Sequence, residues 1–486
     1  MLPRDRAGPA AAEVFAGLPP ALPDDDSLRE SVRAMRAEDG LLLGVLDDDP
    51  TGSQAVHDVQ AVTVLEEDAY RAALAGAART CFVLTNTRSL GEAAAAELNT
   101  LAARGLMAVA GRRGARLQLV SRSDSTLRGH VMAEVAALQA VRRDLLGRGY
   151  DGVLLVPAFL EAGRLTAAGI HWARTGDGLL PVGETEFARD PTFGYTASDL
   201  REFVAQKSGG RVDPAGVASI GLADIRLGGA DRVRGLLARV QDGTWVVVNA
   251  TEYSDLETVA RSVLLAERDG KSFLFRTGPS FVRALAGLGP KPPLRGSQIW
   301  PSARRGGHGL IVAGSHTART NRQLAALRAG GGTAGVELDV PSVLAGSREV
   351  VAATAQQVTT ALGESDVLLS TSRTVAAGGN SAGSLAIARR VSAALSGTVR
   401  AALAAEPAWI VAKGGITSHD VALSGLGIRR AAVAGQLFPG LISVFHPIDA
   451  APGATGMPYV VFAGNVGDDG TLAQVVAILN GEQEDP

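Results

Sequence analysis

The sequence predicts an α/β protein of two three-layer α/β/α domains joined by a hinge linker. Three observations lead there. A chain of 486 residues exceeds what one hydrophobic core usually supports. Short apolar runs alternate with Ala/Leu/Glu/Arg-rich segments of helical spacing along most of its length. The alternation stops once, over Leu288–His308, where Gly289-Pro290-Lys291-Pro292-Pro293 is followed by Arg304-Arg305-Gly306-Gly307 with no periodicity, and then restarts. The expected boundaries are an N-terminal extension over 1–40, a first domain over 41–285, a linker over 286–308 and a second domain over 309–486.

In chain order, the residues before Leu41 are rich in Ala and Pro and carry the run Asp24-Asp25-Asp26. They predict one short helix over Ser27–Ala37, capped by Asp26 or Ser27, on a peripheral extension. Leu41–Leu46 is apolar without polar alternation, as in a strand covered on both faces. Further strands are expected at Gln60–Leu65, Thr80–Thr85, Leu117–Val120, Gly152–Pro157, Val217–Ile220, Thr244–Asn249 and Ser272–Phe275, with helices over Gly91–Arg104 and Val131–Leu146. Beyond the linker they are expected at Leu310–Ala313, Gly335–Leu338, Val367–Ser370, Trp409–Ala412, Leu441–Phe445 and Tyr459–Phe462. The halves share no repeated motif, so internal duplication is not inferred.

Composition narrows the function. Hydrophobic residues at 46% and charged residues at 20% are those of an ordinary soluble globular protein. A net charge of -3 argues against a polyanion-binding surface, so nucleic acid is not an expected partner. A single cysteine excludes a disulfide framework and a Cys-rich zinc site, and Cys81 inside Cys81–Leu84 reads as a small buried hydrophobe. No run reaches membrane length and the N-terminus has no apolar h-region, so a cytoplasmic location and no membrane partner are expected, with a homo-oligomer left open.

The first strand delivers Asp47, Asp48 and Asp49 to a Pro50-Thr51-Gly52 turn, at the carboxyl end where open parallel sheets bind ligands. Adjacent carboxylates repel, and such a cluster calls for a metal, a substrate hydroxyl or backbone N–H groups to absorb the charge. Three more strand ends present polar groups: Asn86-Thr87-Arg88-Ser89, Ser121–His130, and Glu161 with Arg164. Ser123, Asp124, Ser125, Thr126 and Arg128 combine acceptors for hydroxyls with a planar cation for a carboxylate, the groups that bind a polyhydroxy acid, although a Ser/Thr turn capping the next helix accounts for part of the pattern. In the second half, Gly314-Ser315 with Thr320 and Gln323, then Gly414-Gly415-Ile416-Thr417, then Gly464-Asn465-Val466-Gly467 each follow a strand. Three such glycine turns favour a nucleotide, though neither a P-loop nor a dinucleotide fingerprint is present.

The motif set resembles the four-carbon acid sugar kinase family. Its marks are Asp48-Asp49-Pro50-Thr51-Gly52, Asp124-Ser125-Thr126-Leu127-Arg128-Gly129, Pro157-Ala158-Phe159 with Gly163-Arg164, and the three glycine turns, in order from about residue 41 to about 480. The resemblance implies an N-terminal domain that binds a sugar acid, a C-terminal domain that binds ATP, and phosphorylation of a terminal hydroxyl. On that reading Asp48 or Asp49 orients or deprotonates the attacking hydroxyl. Thr51, Ser123, Asp124, Ser125 and Thr126 hold the substrate, and Arg128 with Arg88 or Arg164 pairs its carboxylate. Ser315, Thr320, Gln323, Gly414, Gly415, Ile416, Thr417, Gly464 and Asn465 hold ATP, with Mg²⁺ bridging its phosphates and no protein metal site. The two domains are expected to close about the linker. The sequence departs from the family in its triple aspartate followed by proline, in Ser53-Gln54, in its N-terminal extension, and in Phe462 where relatives commonly carry lysine, all of which suggests a divergent subgroup. Two rivals are weighed. Asp47-x-Asp49-x-Thr51 with Gly467-Asp468-Asp469 matches a haloacid-dehalogenase-type phosphatase, but nearly the whole chain separates the motifs. A non-catalytic sugar-acid-binding protein also has two α/β lobes and a hinge.

Overall fold

The structure, a computed structural model, describes residues 11–24, 26–176, 178–301, 306–314, 317–347, 349–372, 381–464 and 466–482. It is an α/β protein of two compact units, one of residues 1–48 and 65–290, the other of residues 49–64 and 291–486.

In chain order the strands up to residue 290 are β1 (Leu42–Asp47), β2 (Val59–Val62), β3 (Thr80–Leu84), β4 (Leu117–Arg122), β5 (Gly152–Val156), β6 (Arg164–Ala167), β7 (Ile170–Thr175), β8 (Gly178–Pro181), β9 (Ala218–Ile220), β10 (Thr244–Val248) and β11 (Phe273–Thr277). All but β2 lie in the first unit. Its main sheet runs β3-β1-β4-β11-β5-β10-β9, every pair parallel. Val45, Phe82, Val120, Leu154, Val247 and Phe275 are all within 1% of full burial, as sheet strands covered on both faces must be. The helix over Asp26–Glu38 is less peripheral than expected. It buries Val32 and Met35, and its Arg29 and Arg36 reach Glu257 at 3.1 Å and Gln118 at 2.7 Å.

Strands β6, β7 and β8 form a separate antiparallel sheet that the sequence did not announce. Its first turn, Ala168-Gly169, has φ of +51° and +82°, the left-handed pair that a two-residue hairpin requires.

The later strands are β12 (Leu310–Ala313), β13 (Thr333–Leu338), β14 (Asp366–Thr371), β15 (Ile410–Lys413), β16 (Arg430–Gln436), β17 (Ser443–Asp449) and β18 (Tyr459–Phe462). The second unit's sheet runs β13-β14-β12-β15-β18-β17-β16-β2. It is parallel as far as β18 and antiparallel beyond. Strand β16, Ala- and Gly-rich and so without the β-branched signal, was not expected, and its presence recruits β2. Val62 faces Arg430 and Val59 faces Val433 across that pair, while Gln436 Nε2 donates to the Val56 carbonyl at 2.6 Å. Residues 49–64 therefore pack with the second unit although the sequence placed them inside 41–285. The stretch read as a linker is likewise built in from Lys291 on: Leu294 and Ile299 are buried in a core with Ile311, Trp409, Val460 and Phe462.

Candidate active site

The carboxyl ends of β1, β3, β4, β5 and β11 bring the polar residues of the first unit together. Asp47, the last residue of β1, faces Arg122 across the parallel register and is fully buried. Arg122 donates to its Oδ1 from Nε at 2.7 Å and approaches it from Nη2 at 2.6 Å. Burial pushes the Asp47 carboxyl up to about 7 against the pull of Arg122. This aspartate is one half of a buried ion pair with Arg122.

Asp48 is different. It is 2% exposed, and neither carboxylate oxygen accepts a hydrogen bond. Arg88 Nε lies 3.4 Å from Oδ1 and Arg122 Nη2 4.0 Å away. Burial raises its carboxyl above the ordinary range, with Arg88 and Arg122 opposing. Asp49 belongs to the second unit, where it caps the short helix Pro50–Ala55, accepting from Thr51 N at 2.8 Å and Thr51 Oγ1 at 2.7 Å. Thr51 is thus committed to Asp49, on the unit opposite to the one its substrate-binding role was drawn for.

Arg88 follows β3 after Asn86, whose φ of +50° turns the chain, and it also stands 3.6 Å from Asp124. Arg128 Nε donates to Asp124 Oδ2 at 2.7 Å, and the Thr126 hydroxyl donates to the same oxygen. Burial works against the charge on Asp124, yet Arg88 and Arg128 outweigh it and hold the carboxyl well below the usual range. The loop that carries Ser123–His130 is pinned from the β6–β8 excursion. His171 Nε2 meets the Ser125 carbonyl at 2.8 Å, and the Tyr195 hydroxyl donates to the Thr126 carbonyl at 2.5 Å. Burial lowers the His171 imidazole to about 4, so it stays neutral at neutral pH, with Thr166 Oγ1 at its other nitrogen. Ser123 and Ser125, in the same loop, are buried.

Of the three arginines proposed for a carboxylate, the structure separates one. Arg88 has Asp48 and Asp124, and Arg128 has Asp124 and Asp190. Arg164, at the start of β6, has no acidic partner among the described residues: Nη1 donates to the Ala162 carbonyl and Nε to nothing. Burial lowers its guanidinium, which Asp124 counters and Arg128 reinforces. The Phe187 ring backs both cations, 5.1 Å from Arg128 Cζ and 5.8 Å from Arg164 Cζ. Sequence reasoning missed Phe187, which lies in an unpatterned loop, and Arg276 at the end of β11.

In the second unit the glycine turns converge on the ends of β12, β15 and β18. Gly314 has no room for a side chain, because a Cβ would stand 2.7 Å from Thr417 Oγ1. Gly414, with φ of +114°, ties its N–H to the Phe462 carbonyl at 2.8 Å. A Cβ on Gly415 would meet Asp49 Oδ1 at 3.2 Å, so the acidic cap and the turn are in contact. Ile416 is 50% exposed, unusual for so large an apolar side chain. Thr320 and Gln323 are fully buried. Thr320 Oγ1 donates to the Gly464 carbonyl at 3.3 Å, and Gln323 Nε2 to those of Val466 and Asp468 at 3.1 and 2.7 Å. Both side chains thus hold the backbone of the last glycine turn. Ser315 and Asn465 lie outside the described residues.

Beside these turns lies Lys413, the last residue of β15 and fully buried. Its register partner on β18 is Phe462, whose ring centroid is 3.6 Å from Nζ, and Nζ donates to the Ala463 carbonyl at 2.7 Å. Burial, with Arg319 adding to it, lowers this ammonium to about 7. Among the described residues no three His, Cys, Asp or Glu side chains gather into a metal cage, and no helix is long and apolar enough to cross a membrane.

Comparison with known proteins also divides the chain in two, with residues 49–64 falling in the first part. A profile described as a sugar-binding N-terminal domain matches residues 43–285, and one described as a nucleotide-binding C-terminal domain matches residues 310–472. A D-erythronate kinase of Heliobacterium modesticaldum is 30% identical over 224 residues, 46% of this chain and 45% of that protein. A D-threonate kinase of Salmonella typhimurium is 30% identical over 227 residues, 46% and 47% of the two chains. The chain thus spans about half the length of the curated relatives it matches. Two crystal structures share the fold. A Haemophilus influenzae protein of a domain-of-unknown-function family has a TM-score of 0.58 at 19% identity, covering 89% of this chain and 99% of its own. A Salmonella typhimurium protein described as a tRNA synthase scores 0.64 at 18%, covering 89% and 98%. With both profiles matched in order, the first over half the chain, this protein belongs to the four-carbon acid sugar kinase family.

Proposed function

We propose that the protein is an ATP-dependent kinase that phosphorylates a terminal hydroxyl of a small, four-carbon-type sugar acid. The observation that carries this reading is the pairing of two unsatisfied groups in the first unit: Arg164, a cation with no acidic partner among the described residues, and Asp48, a buried carboxylate that accepts no hydrogen bond. A sugar acid supplies the anion for one and a hydroxyl for the other.

On this reading Arg164, with the Phe187 ring beside it, takes the substrate carboxylate through two parallel N–H bonds. Arg88 and Asp124 meet chain hydroxyls. Asp48, whose burial makes it a stronger base than a solvated aspartate, accepts the proton of the attacking hydroxyl as its oxygen bonds to the γ-phosphorus and the bond to the leaving β-phosphate oxygen breaks. The backbone of the Gly414–Gly415 and Gly464 turns cradles the ATP phosphates, and the exposed Ile416 gives the base an apolar platform. Mg²⁺ would neutralise phosphate charge while carried mainly on ATP, with Asp49, against Gly415, the acidic side chain placed to meet it. Use of ATP and small sugar acids would suit a cytoplasmic location.

The test is a screen of four-carbon sugar acids for ATP consumption, with the matching neutral polyols alongside. Turnover confined to acids is expected. Equal turnover of polyols, or none with any acid, would reject the assignment.

A further inference from the structure

Arg276, the fourth residue of β11, has no part in the reading above, yet it is 1% exposed and only half satisfied. Its Nη1 donates to Ser121 Oγ at 2.6 Å and to Glu134 Oε2, and Glu134 in turn accepts from the Thr87 hydroxyl at 2.6 Å. Its Nε and Nη2 have no acceptor, and the two Asp48 oxygens have no donor. These orphaned groups face one place. A Cβ on Gly129 would stand 3.1 Å from Arg276 Nη2 and 3.1 Å from Asp48 Oδ2, with Arg88 Cγ at 3.7 Å. A side chain at 129 would crowd both groups, and with φ of +116° the position suits glycine, whose bare α-carbon leaves the donor and the acceptor on either side of it uncovered.

We infer that Arg276 is a catalytic residue that grips the attacking hydroxyl oxygen, donating from Nη2 to one lone pair while Asp48 accepts the proton. The remaining lone pair is then aimed at the γ-phosphorus. As that O–P bond forms and the proton passes to Asp48, Arg276 stabilises the charge the oxygen gains. Glu134, itself oriented by Thr87, fixes the guanidinium and balances its charge. The role rests on the kinase reading.

The test is steady-state kinetics of Arg276→Lys in the full chain, beside the wild type, on the best sugar acid from the screen. Lysine keeps the cation against Glu134 but cannot present a second nitrogen. The expected result is a kcat lower by roughly 10- to 100-fold, with KM for both substrates and the melting temperature within experimental spread. Should this variant fold poorly, Arg276→Met with Glu134→Gln removes both charges together, and the same loss of kcat at unchanged KM is expected. Wild-type kcat in either folded variant, or a loss confined to KM, overturns the role. Absence of wild-type turnover overturns the kinase reading and this role with it.

Discussion

Replacing Lys413 with methionine should make the protein more stable at pH 6 and less markedly so at pH 9, while weakening nucleotide binding. The wild-type ammonium is buried beside Phe462 with one hydrogen bond, to the Ala463 carbonyl, and its proton affinity falls from 10.5 to about 7. At 1.36 kcal/mol per pH unit that difference is about 5 kcal/mol. Between pH 7 and 10.5 the unfolded chain holds a proton that the folded chain has released, so stability rises with pH across this window, and the whole penalty stands below it. Methionine, of similar length, escapes the penalty but forfeits the hydrogen bond and the cation–ring contact, together about 3 kcal/mol. The net gain is about 2 kcal/mol at pH 6. By pH 9 the folded lysine is neutral, so only its hydrogen bond, about 1 kcal/mol, is forfeited, while the wild-type penalty has shrunk to about 2 kcal/mol; the gain falls to about 1 kcal/mol. For a unit of this size the pH 6 gain corresponds to an upward shift of about 4–8 °C. Calorimetry of the full chain at the two pH values measures it, and titration with an ATP analogue measures the loss expected when a cation next to the Gly414 turn is removed. A melting temperature that falls at pH 6, or one that shifts equally at both values, would refute the account of Lys413 as a cation whose burial costs stability.

Three further substitutions probe the two units. Arg164→Lys keeps the charge but loses the two-pronged grip on a carboxylate, so kcat/KM for the acid should drop by about 1–3 kcal/mol, one to two powers of ten, and the gap between acid and neutral polyol should narrow; an unchanged gap would return the role to Arg88 or Arg128. Asp48→Asn should abolish turnover while leaving sugar-acid binding measurable by titration, because the amide keeps the shape without the basicity, whereas Asp49→Asn should act chiefly on the nucleotide side and raise the KM for ATP.

The difference between those two aspartates shows where sequence reading stops. The apolar run of β1 announced a buried strand and a polar strand end, and it delivered both. It could not distinguish three consecutive carboxylates, because what separates them is the neighbour each one meets. Asp47 meets Arg122 across a register set by parallel pairing, Asp48 meets Arg88 and Arg122, and Asp49 meets Thr51 and Gly415. That last partner lies 366 positions away, and the chain reaches it only because β2 pairs with β16, a strand whose Ala- and Gly-rich sequence gave no signal. Local patterns report the elements with strong local preferences, and so the helix over Asp26–Glu38 and the parallel strands were legible. The β6–β8 sheet, Phe187 behind the two arginines, and Arg276 beside Asp48 were not, since each is defined by contacts between segments distant in sequence. Lys413 is the intermediate case. Its place between a strand and a glycine turn was visible, and reading it with the phenylalanine at 462 would have required knowing that β15 and β18 are neighbours in register. Strand adjacency, more than strand identity, is thus what turns this sequence into a site.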